Sequence, residues 1–135
     1  MEREGMFIQS IYYGQIGSEA TERLLEIYGR DGSFLLRDSQ TVQGTYCLCV
    51  RKAPFVHTYR LVHAADSWYL QQDSRNRLLR FETLELLIEH HRRATDSHVG
   101  VVPLNDPLEK RQIPDRFFQG LVYMEMNSSR SNSAE

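Results

Sequence analysis

The 135-residue chain has little of several features that mark whole classes of protein. It contains two cysteines, four prolines and one tryptophan, and no stretch reaches the roughly 18 apolar residues that a membrane-crossing helix needs. Its 16 basic side chains nearly balance 18 acidic ones, giving a formal net charge of −2. We therefore expect no disulfide-stapled mini-protein, no membrane insertion and no overall basic field of the kind that nucleic-acid-binding proteins carry. Any anion must be bound by a local group of residues.

The two cysteines, Cys47 and Cys49, lie two residues apart in a segment with strand character. Residues i and i+2 of a strand point the same way, and their Cα atoms stand too far apart for easy disulfide closure. A metal site with His57 is the alternative, but the spacing fits no common zinc pattern. We expect buried, reduced thiols, with no metal and no cofactor. Because the N-terminus also lacks a signal-peptide-like apolar run, we expect a cytoplasmic protein.

What is present is the balance of one globular domain, with 41% hydrophobic and 25% charged residues. Helical spacing over residues 18–28 predicts a first helix whose buried face carries Ala20, Leu24, Ile27 and Tyr28. Strand patterns follow, and their loops suit an antiparallel meander over residues 33–37, 45–51, 55–62 and 68–71. The fold class is therefore α+β.

A second helix is predicted to begin after the capping residue Thr83 and to end near residue 92. Its apolar spacing predicts a buried stripe of Leu84, Leu87, Ile88 and His91, which leaves His90 in solvent.

The chain divides into three parts by composition. We expect a flexible segment over residues 1–10, a domain over 11–104, and a largely flexible extension over 105–135. Within the extension, the patch around Phe117 and Phe118 could be a strand, a docked turn or a linear motif. Residues 127–135 are polar and small, which is typical of disorder.

Strand alternation predicts that two arginines converge. Arg37, Cys47 and Arg60 each fall on one face of their strand, and if those faces coincide the guanidinium groups meet. An arginine on so apolar a strand is costly to desolvate unless an anion completes its hydrogen bonds, and its fork matches phosphate oxygens. The alternative is a structural ion pair between Arg37 and an acid such as Asp38 or Glu22.

Several spaced motifs together resemble a Src-homology-2 (SH2) domain. They are Tyr12-Tyr13-Gly14-x-Ile16, Leu24-Leu25, residues 31–39 around Leu-Leu-Arg-Asp-Ser, residues 46–50 (Tyr-Cys-Leu-Cys-Val), Thr58-Tyr59-Arg60-Leu61 and residues 100–104. The resemblance runs in order from about residue 11 to 104. Within that family, the short tail, the Leu-Leu-Arg-Asp-Ser run and especially Tyr-Cys-Leu-Cys-Val resemble the free-standing SLAM-associated protein (SAP) adaptors of lymphocytes. The SH2-bearing inositol phosphatases are near neighbours.

The resemblance implies a central antiparallel sheet between two helices, with phosphotyrosine bound on the side of the first helix. Carried over by position, the phosphotyrosine-binding residues are Arg37, Ser39, Gln40, Thr41, Cys47, Thr58 and Arg60. The residues implied to read the surrounding peptide are Glu22, Phe55 and Val56 before the phosphotyrosine, and Tyr59, Ile88, Val99 and Val101 after it. The implied ligand motif is Thr-x-Tyr-x-x-Val or Ile.

The sequence departs from the family pattern at two positions. Ser18 stands where most SH2 domains have a second phosphate-contacting arginine, which removes one charge-assisted contact. Glu82 stands where SAP-type adaptors carry a basic residue that recruits a Src-family kinase, although Arg80 is close. In the tail, Tyr123 begins a Tyr-x-x-Met motif of the form favoured by phosphoinositide 3-kinase regulatory subunits, so it is a candidate phosphorylation site. An incidental tyrosine is the alternative.

These features predict a monomeric, non-catalytic phosphotyrosine-reading adaptor or blocker for receptor cytoplasmic tails. The chain has no Gly-rich phosphate loop, His-Glu-x-x-His motif or Gly-x-Ser-x-Gly elbow. The alternative is a phosphate-independent peptide-binding module or a nucleic-acid binder. The latter would need one open face carrying Tyr46, Phe55, Tyr59, Arg75, Arg77 and Arg80.

Overall fold

A five-stranded sheet lies at the centre of the molecule. The computed structural model describes residues 2–71, 79–93 and 104–120. The strands are β1 (Ser33–Asp38), β2 (Tyr46–Lys52), β3 (Phe55–Ala64), β4 (Ser67–Leu70) and β5 (Asp106–Pro107), in the order β4-β3-β2-β1-β5. β1 to β4 pair antiparallel, as the short loops predict, and β5 pairs parallel to β1. Within these ranges no helix is both long and apolar enough to cross a membrane.

Helices cover both faces of the sheet, which confirms the predicted α+β fold. They are α1 (Glu2–Ile11), α2 (Ser18–Tyr28) and α3 (Leu84–Arg93), and residues 115–120 are also helical. Phe34, Leu36 and Leu48 point to the α3 side with Leu87 and Ile88, whereas Leu35, Cys47 and Cys49 point to the α2 side with Leu24 and Leu25. Both faces are buried because a helix lies on each.

α3 matches its predicted pattern. It begins after Thr83, whose Oγ1 accepts a hydrogen bond from the Leu86 backbone N–H at 3.1 Å. All four residues of the predicted stripe, Leu84, Leu87, Ile88 and His91, are buried.

α2 has the predicted bounds but a rotated buried face. Thr21 and Leu25 join Ala20 and Leu24 in the core, whereas Ile27 is 54% exposed and Tyr28 is half-buried. The prediction of a buried Ile27 was therefore wrong. A stripe at 20, 21, 24 and 25 is also compatible with helical periodicity, and packing against β2 selects it.

The N-terminal residues differ from the flexible segment expected for 1–10. They form α1, and Phe7 and Ile8 pack against the α3-side core beside the fully buried Ile11. The helix is then joined to the sheet, because the Tyr13 N–H donates to the Leu36 carbonyl at 2.8 Å.

The described part of the C-terminal extension packs on the α2 side. Leu108 and Ile113 are buried there, and the Tyr13 hydroxyl donates to the Leu108 carbonyl at 2.8 Å. Phe117 packs edge-on against Tyr28, at 5.7 Å between ring centroids. The patch around Phe117 and Phe118 is helical over residues 115–120, which differs from the strand, docked turn and linear motif left open for it, and the described part of the extension packs on the domain.

A tight turn at Gly32 connects α2 to the sheet, as the Asp31-Gly32 pair predicts. Gly32 has φ +89°, and an added Cβ would lie 2.7 Å from the Asn105 Cβ. Its carbonyl accepts the backbone N–H of Asn105 at 2.9 Å. Glycine is required here by both conformation and space.

Candidate functional site

Three neighbouring strands place the two predicted arginines in one row. Arg37 on β1 is opposite Cys47 on β2, and Cys47 is opposite Arg60 on β3. Residues directly opposite one another in a sheet share a face, and this row lies on the α2 face, as Cys47 does. The register therefore places Arg37 and Arg60 on one face of the sheet, whereas strand alternation alone predicted this only if the strand faces coincide.

Arg37 is the largest fully buried side chain described, with 0% of its surface exposed. Its Nη1 donates to the Asp38 backbone carbonyl at 3.0 Å. A guanidinium keeps its charge under all ordinary conditions, and burial strengthens its attraction to any anion that reaches it. A buried guanidinium of this kind is chemically suited to bind an oxyanion.

The loop after β1 is closed and internally hydrogen-bonded. The Ser39 N–H donates to the Thr45 carbonyl at 2.8 Å. The Ser39 hydroxyl accepts the backbone N–H groups of Val42 at 3.1 Å and Thr41 at 3.3 Å. Ser39 is half-buried, while Gln40 and Thr41 are exposed at the rim. The loop thus presents hydroxyl and amide groups beside the arginine row.

Arg60 links this loop to β3. Its Nη2 donates to Thr41 Oγ1 at 3.1 Å, and its Nη1 lies 3.5 Å from Gln71 Oε1. Its Nε is buried without a hydrogen-bond partner among the described residues. The side chain is therefore held across the mouth of the site, with donor capacity still available to a ligand. No sequence pattern identified Gln71 as a site residue.

Tyr12 anchors the base of the same loop, a contact that the sequence analysis missed. Its hydroxyl donates to the Asp38 carboxylate at 2.5 Å, and the Asp38 N–H donates to the Gly14 carbonyl at 2.9 Å. Burial and, secondarily, the hydrogen bond to Asp38 raise the pKa of Tyr12 to about 12. Asp38 thus accepts from Tyr12 with its side chain and from Arg37 with its backbone.

The cysteines lie on the same face as the arginines. Both are free thiols and buried, as predicted, and the Cys49 sulfur lies 3.9 Å from the Thr58 hydroxyl. His57 is opposite Val50, so it faces the other side of the sheet. Among the described residues, no group of three His, Cys, Asp or Glu side chains could hold a metal ion.

A separate cleft of about 440 Å³ brings together the three residues implied to contact peptide before the phosphotyrosine. They are Glu22, Phe55 and Val56, joined by Glu26, Arg51, Ala53 and Pro54. Phe55 is 66% exposed. Arg51, which sequence reasoning missed, is held at the end of α2, where its Nη1 donates to the Gly29 carbonyl at 2.9 Å.

The residues implied to read peptide after the phosphotyrosine are only partly described. Tyr59 packs against the α3-side core, and Ile88 is 1% exposed within that core. Val99 and Val101 lie outside the described residues, as does Tyr123. The structure therefore places Tyr59 and Ile88 on one side of the sheet and leaves the rest of the slot as a prediction.

The two departures from the family pattern also have defined places. Ser18 is the first residue of α2 and is half-buried, and Glu82 is exposed just before α3. Arg80 lies over the Tyr69 ring at 4.7 Å and donates to the Ser67 hydroxyl at 3.2 Å. The other arginines of the basic cluster, Arg75 and Arg77, lie outside the described residues.

Comparison with known proteins identifies the class. Residues 11–91, well over half of the chain, match the SH2 domain family model, so the chain belongs to the SH2 domain family. SH2 domains are non-catalytic modules that bind tyrosine-phosphorylated peptides, and they act in signal transduction.

Three curated relatives are inositol phosphatases. The chain is 42% identical over 103 residues to phosphatidylinositol 3,4,5-trisphosphate 5-phosphatase 1 of Xenopus laevis, covering 75% of this chain and 10% of that protein. It is 37% identical to phosphatidylinositol 3,4,5-trisphosphate 5-phosphatase 2 of Canis lupus familiaris (77% of this chain, 8% of that protein) and of Homo sapiens (78% and 8%). The chain spans about a tenth of the length of these relatives. They share its SH2 region, and similarity to the SAP adaptors stays a prediction.

Proposed function

We propose that this chain is a monomeric cytoplasmic adaptor or competitive blocker that binds tyrosine-phosphorylated receptor tails in immune cells, in the manner of SAP-type adaptors. The observation that carries this proposal is the alignment of buried Arg37 with Arg60 beside the loop from Ser39 to Thr41. The Leu-Leu-Arg-Asp-Ser and Tyr-Cys-Leu-Cys-Val segments support the SAP-type assignment.

In this proposal each pocket residue has a distinct role. Arg37 binds two phosphate oxygens at the bottom of the pocket, and the loop residues Ser39, Gln40 and Thr41 supply hydroxyl and amide donors around them. Arg60 packs on the aromatic ring, with Cys47 and Thr58 at the walls. The depth of Arg37 supports selectivity for phosphotyrosine, because the shorter phosphoserine side chain would not bring its phosphate that far.

Contacts before the phosphotyrosine compensate for Ser18. One charge-assisted hydrogen bond contributes about 1.5–3 kcal/mol, and an uncharged Ser18 cannot supply it. The cleft formed with Glu22, Phe55 and Val56 lies on the α2 side and offers apolar surface and carboxylates to an extended peptide. On the α3 side, Tyr59, Ile88, Val99 and Val101 would accept a Val or Ile at the third position after the phosphotyrosine.

Two signalling partners belong to the proposal, a Src-family kinase and a phosphoinositide 3-kinase regulatory subunit. Glu82 has the opposite charge to the residue that recruits a Src-family kinase in SAP-type adaptors, so recruitment would have to use a neighbour such as Arg80. If Tyr123 is phosphorylated, its Tyr-x-x-Met motif would bind a phosphoinositide 3-kinase regulatory subunit and convert a blocker into a bridge.

Calorimetric titration tests the phosphate switch. The ligands are Thr-Ile-Tyr-Ala-Ala-Val with and without phosphate on the tyrosine. The phosphorylated peptide should bind at least tenfold more tightly, and Arg37→Ala should weaken that binding by more than tenfold, or about 1.4 kcal/mol. Arg37→Lys should also weaken it, since an ammonium group retains the charge but lacks the bidentate fork.

Arg23→Ala is the matched control, because Arg23 is an exposed arginine on α2 outside the pocket. It should leave binding unchanged, and thermal unfolding of each variant checks that the fold is intact. Equal binding of both peptides, with no effect of either Arg37 variant, would contradict the proposal and favour a phosphate-independent peptide module.

A further inference from the structure

A second cleft lies on the opposite face of the sheet from the arginine row. It has a volume of about 390 Å³ and is formed between α1, the sheet and the start of α3. Its walls are largely apolar and aromatic, with Ile8, Tyr12, Leu36, Tyr46 and Trp68, and its edge carries Glu82 and Glu85. Tyr46 precedes Cys47 on β2, so the two side chains point to opposite faces. The cleft therefore opens on the other face of the sheet from Arg37 and Arg60, although Tyr12 and Tyr46 also border the loop from Ser39 to Thr41.

The aromatic rings of this cleft form a connected surface. Tyr46 and Trp68 are stacked, with ring centroids 6.0 Å apart and planes 25° apart. The His63 ring also stacks on Trp68, at 4.3 Å between ring centroids. Tyr12 meets Tyr46 edge-on at 5.6 Å. Tyr12, Tyr46 and Trp68 are only half-buried, so part of each ring reaches solvent. Exposed aromatic faces attract planar cations, most strongly on tryptophan.

The edge of the cleft is negative. Glu85 lies in the first turn of α3, where a carboxylate favours the helix, but Glu82 precedes the helix. Among the described residues no salt bridge engages either side chain. Arg80, two residues before Glu82, is directed instead to the Tyr69 ring and Ser67. The cleft thus combines aromatic faces with carboxylates that the described cations do not neutralise.

We propose that this cleft binds an arginine side chain from an extended segment of a partner protein. The guanidinium would lie against the solvent-exposed parts of the Tyr46 and Trp68 rings while its N–H groups donate to Glu82 and Glu85. Its methylene stem would pack on Ile8. Arginine fits better than lysine because its planar, weakly hydrated head can stack and form hydrogen bonds at once. The chain would then hold a phosphopeptide on one face and a basic partner on the other.

Trp68 provides a direct reporter, since it is the single tryptophan of the chain. The probe is acetyl-Ala-Arg-Ala-Arg-Ala-amide, titrated into the full chain while the indole N–H resonance is followed by NMR. The matched ligand replaces both arginines by citrulline, which keeps the shape and removes the charge. We expect a saturable shift with the arginine peptide and at least tenfold weaker binding of the citrulline peptide.

Paired variants separate a site from general charge attraction. Glu82→Gln with Glu85→Gln should weaken arginine-peptide binding at least fivefold. Glu19→Gln with Asp115→Asn changes the net charge equally at exposed positions outside the clefts described above, including the first turn of α2, and should change binding less than twofold. Thermal unfolding confirms that both double variants are folded.

Equal binding of the citrulline peptide, or equal weakening by both double variants, would overturn the proposal. Arg37→Ala should retain the full Trp68 shift. This variant therefore distinguishes loss of arginine binding in this cleft from loss of phosphotyrosine binding in the pocket.

Discussion

His91 combines a titratable ring with a core position. It is 6% exposed, and its Nδ1–H donates to the Leu87 carbonyl at 2.9 Å. Burial lowers the pKa of His91, with a smaller lowering from His90, and the bond to Leu87 opposes both. An unfolded histidine titrates near 6.5. Below that pH the unfolded chain takes up a proton that folded His91 resists, so stability is present above about pH 6.5 and is lost as pH falls toward the folded pKa.

We predict that the free energy of unfolding falls between pH 7.5 and 5 and that His91→Leu flattens this dependence. One proton of difference corresponds to a slope of about 1.4 kcal/mol per pH unit. Urea unfolding at several pH values measures it. Leu86→Ala, on the exposed face of α3, is the control and should keep the wild-type slope. A His91→Leu variant with an unchanged slope would contradict the assignment.

Individual site residues differed in how far the sequence could place them. Alternation assigned Arg37 and Arg60 each to one face of its strand, but their convergence depended on the register between the strands. The hydrogen bonds from Tyr12 to Asp38 and from Arg60 to Thr41 did not follow, since they depend on loop conformation. Strand alternation predicts which face of the sheet a side chain lies on. It does not predict which residues a loop will contact.

Among the helices and strands, those with strong periodicity were predicted within about two residues of their observed ends. The helix ends were readable where a side chain caps them, as Thr83 does for α3. The face of α2 was less readable: Ile27 satisfies helical spacing, yet it is exposed because the helix packs through Leu24 and Leu25. Periodicity defines that a stripe exists, while contact with the sheet defines which stripe is buried.

The cap of α3 gives a prediction at this level. Thr83→Ala removes the acceptor for the Leu86 N–H and should lower the free energy of unfolding by about 1 kcal/mol. Thr83→Ser retains the hydroxyl and should recover most of that loss. Chemical denaturation of the three proteins measures the difference. An alanine variant as stable as the serine variant would mean that the cap contributes nothing.

The packed molecule extends beyond the part that matches the SH2 family. The match covers residues 11–91, whereas α1 and residues 104–120 also pack against the core. Short apolar groups such as Phe7 and Ile8, or Leu108 and Ile113, give no secondary-structure signal of their own. Their positions become defined only when a preformed core is present to bury them, which explains why sequence reasoning expected flexible ends.

A chain ending at residue 104 should therefore be less stable than one ending at residue 120. The shorter chain loses β5 and the burial of Leu108 and Ile113, each worth about 1.5–3 kcal/mol as an upper estimate. It also removes the Leu108 carbonyl, which accepts the hydrogen bond of the buried Tyr13 hydroxyl. Thermal unfolding should show a midpoint lower by at least about 5 °C.

If the shorter chain fails to fold, Leu108→Ala in the full chain provides the same test at a cost of about 2–5 kcal/mol. Exposed Lys110→Ala is its control. Equal midpoints for the two truncated chains, or for Leu108→Ala and the control, would mean that the segment rests on the core without stabilising it. A lower midpoint would instead make residues 104–120 part of the folding unit, so the boundary of this SH2 domain is set by packing on Tyr13 and Phe34 rather than by the extent of the family match.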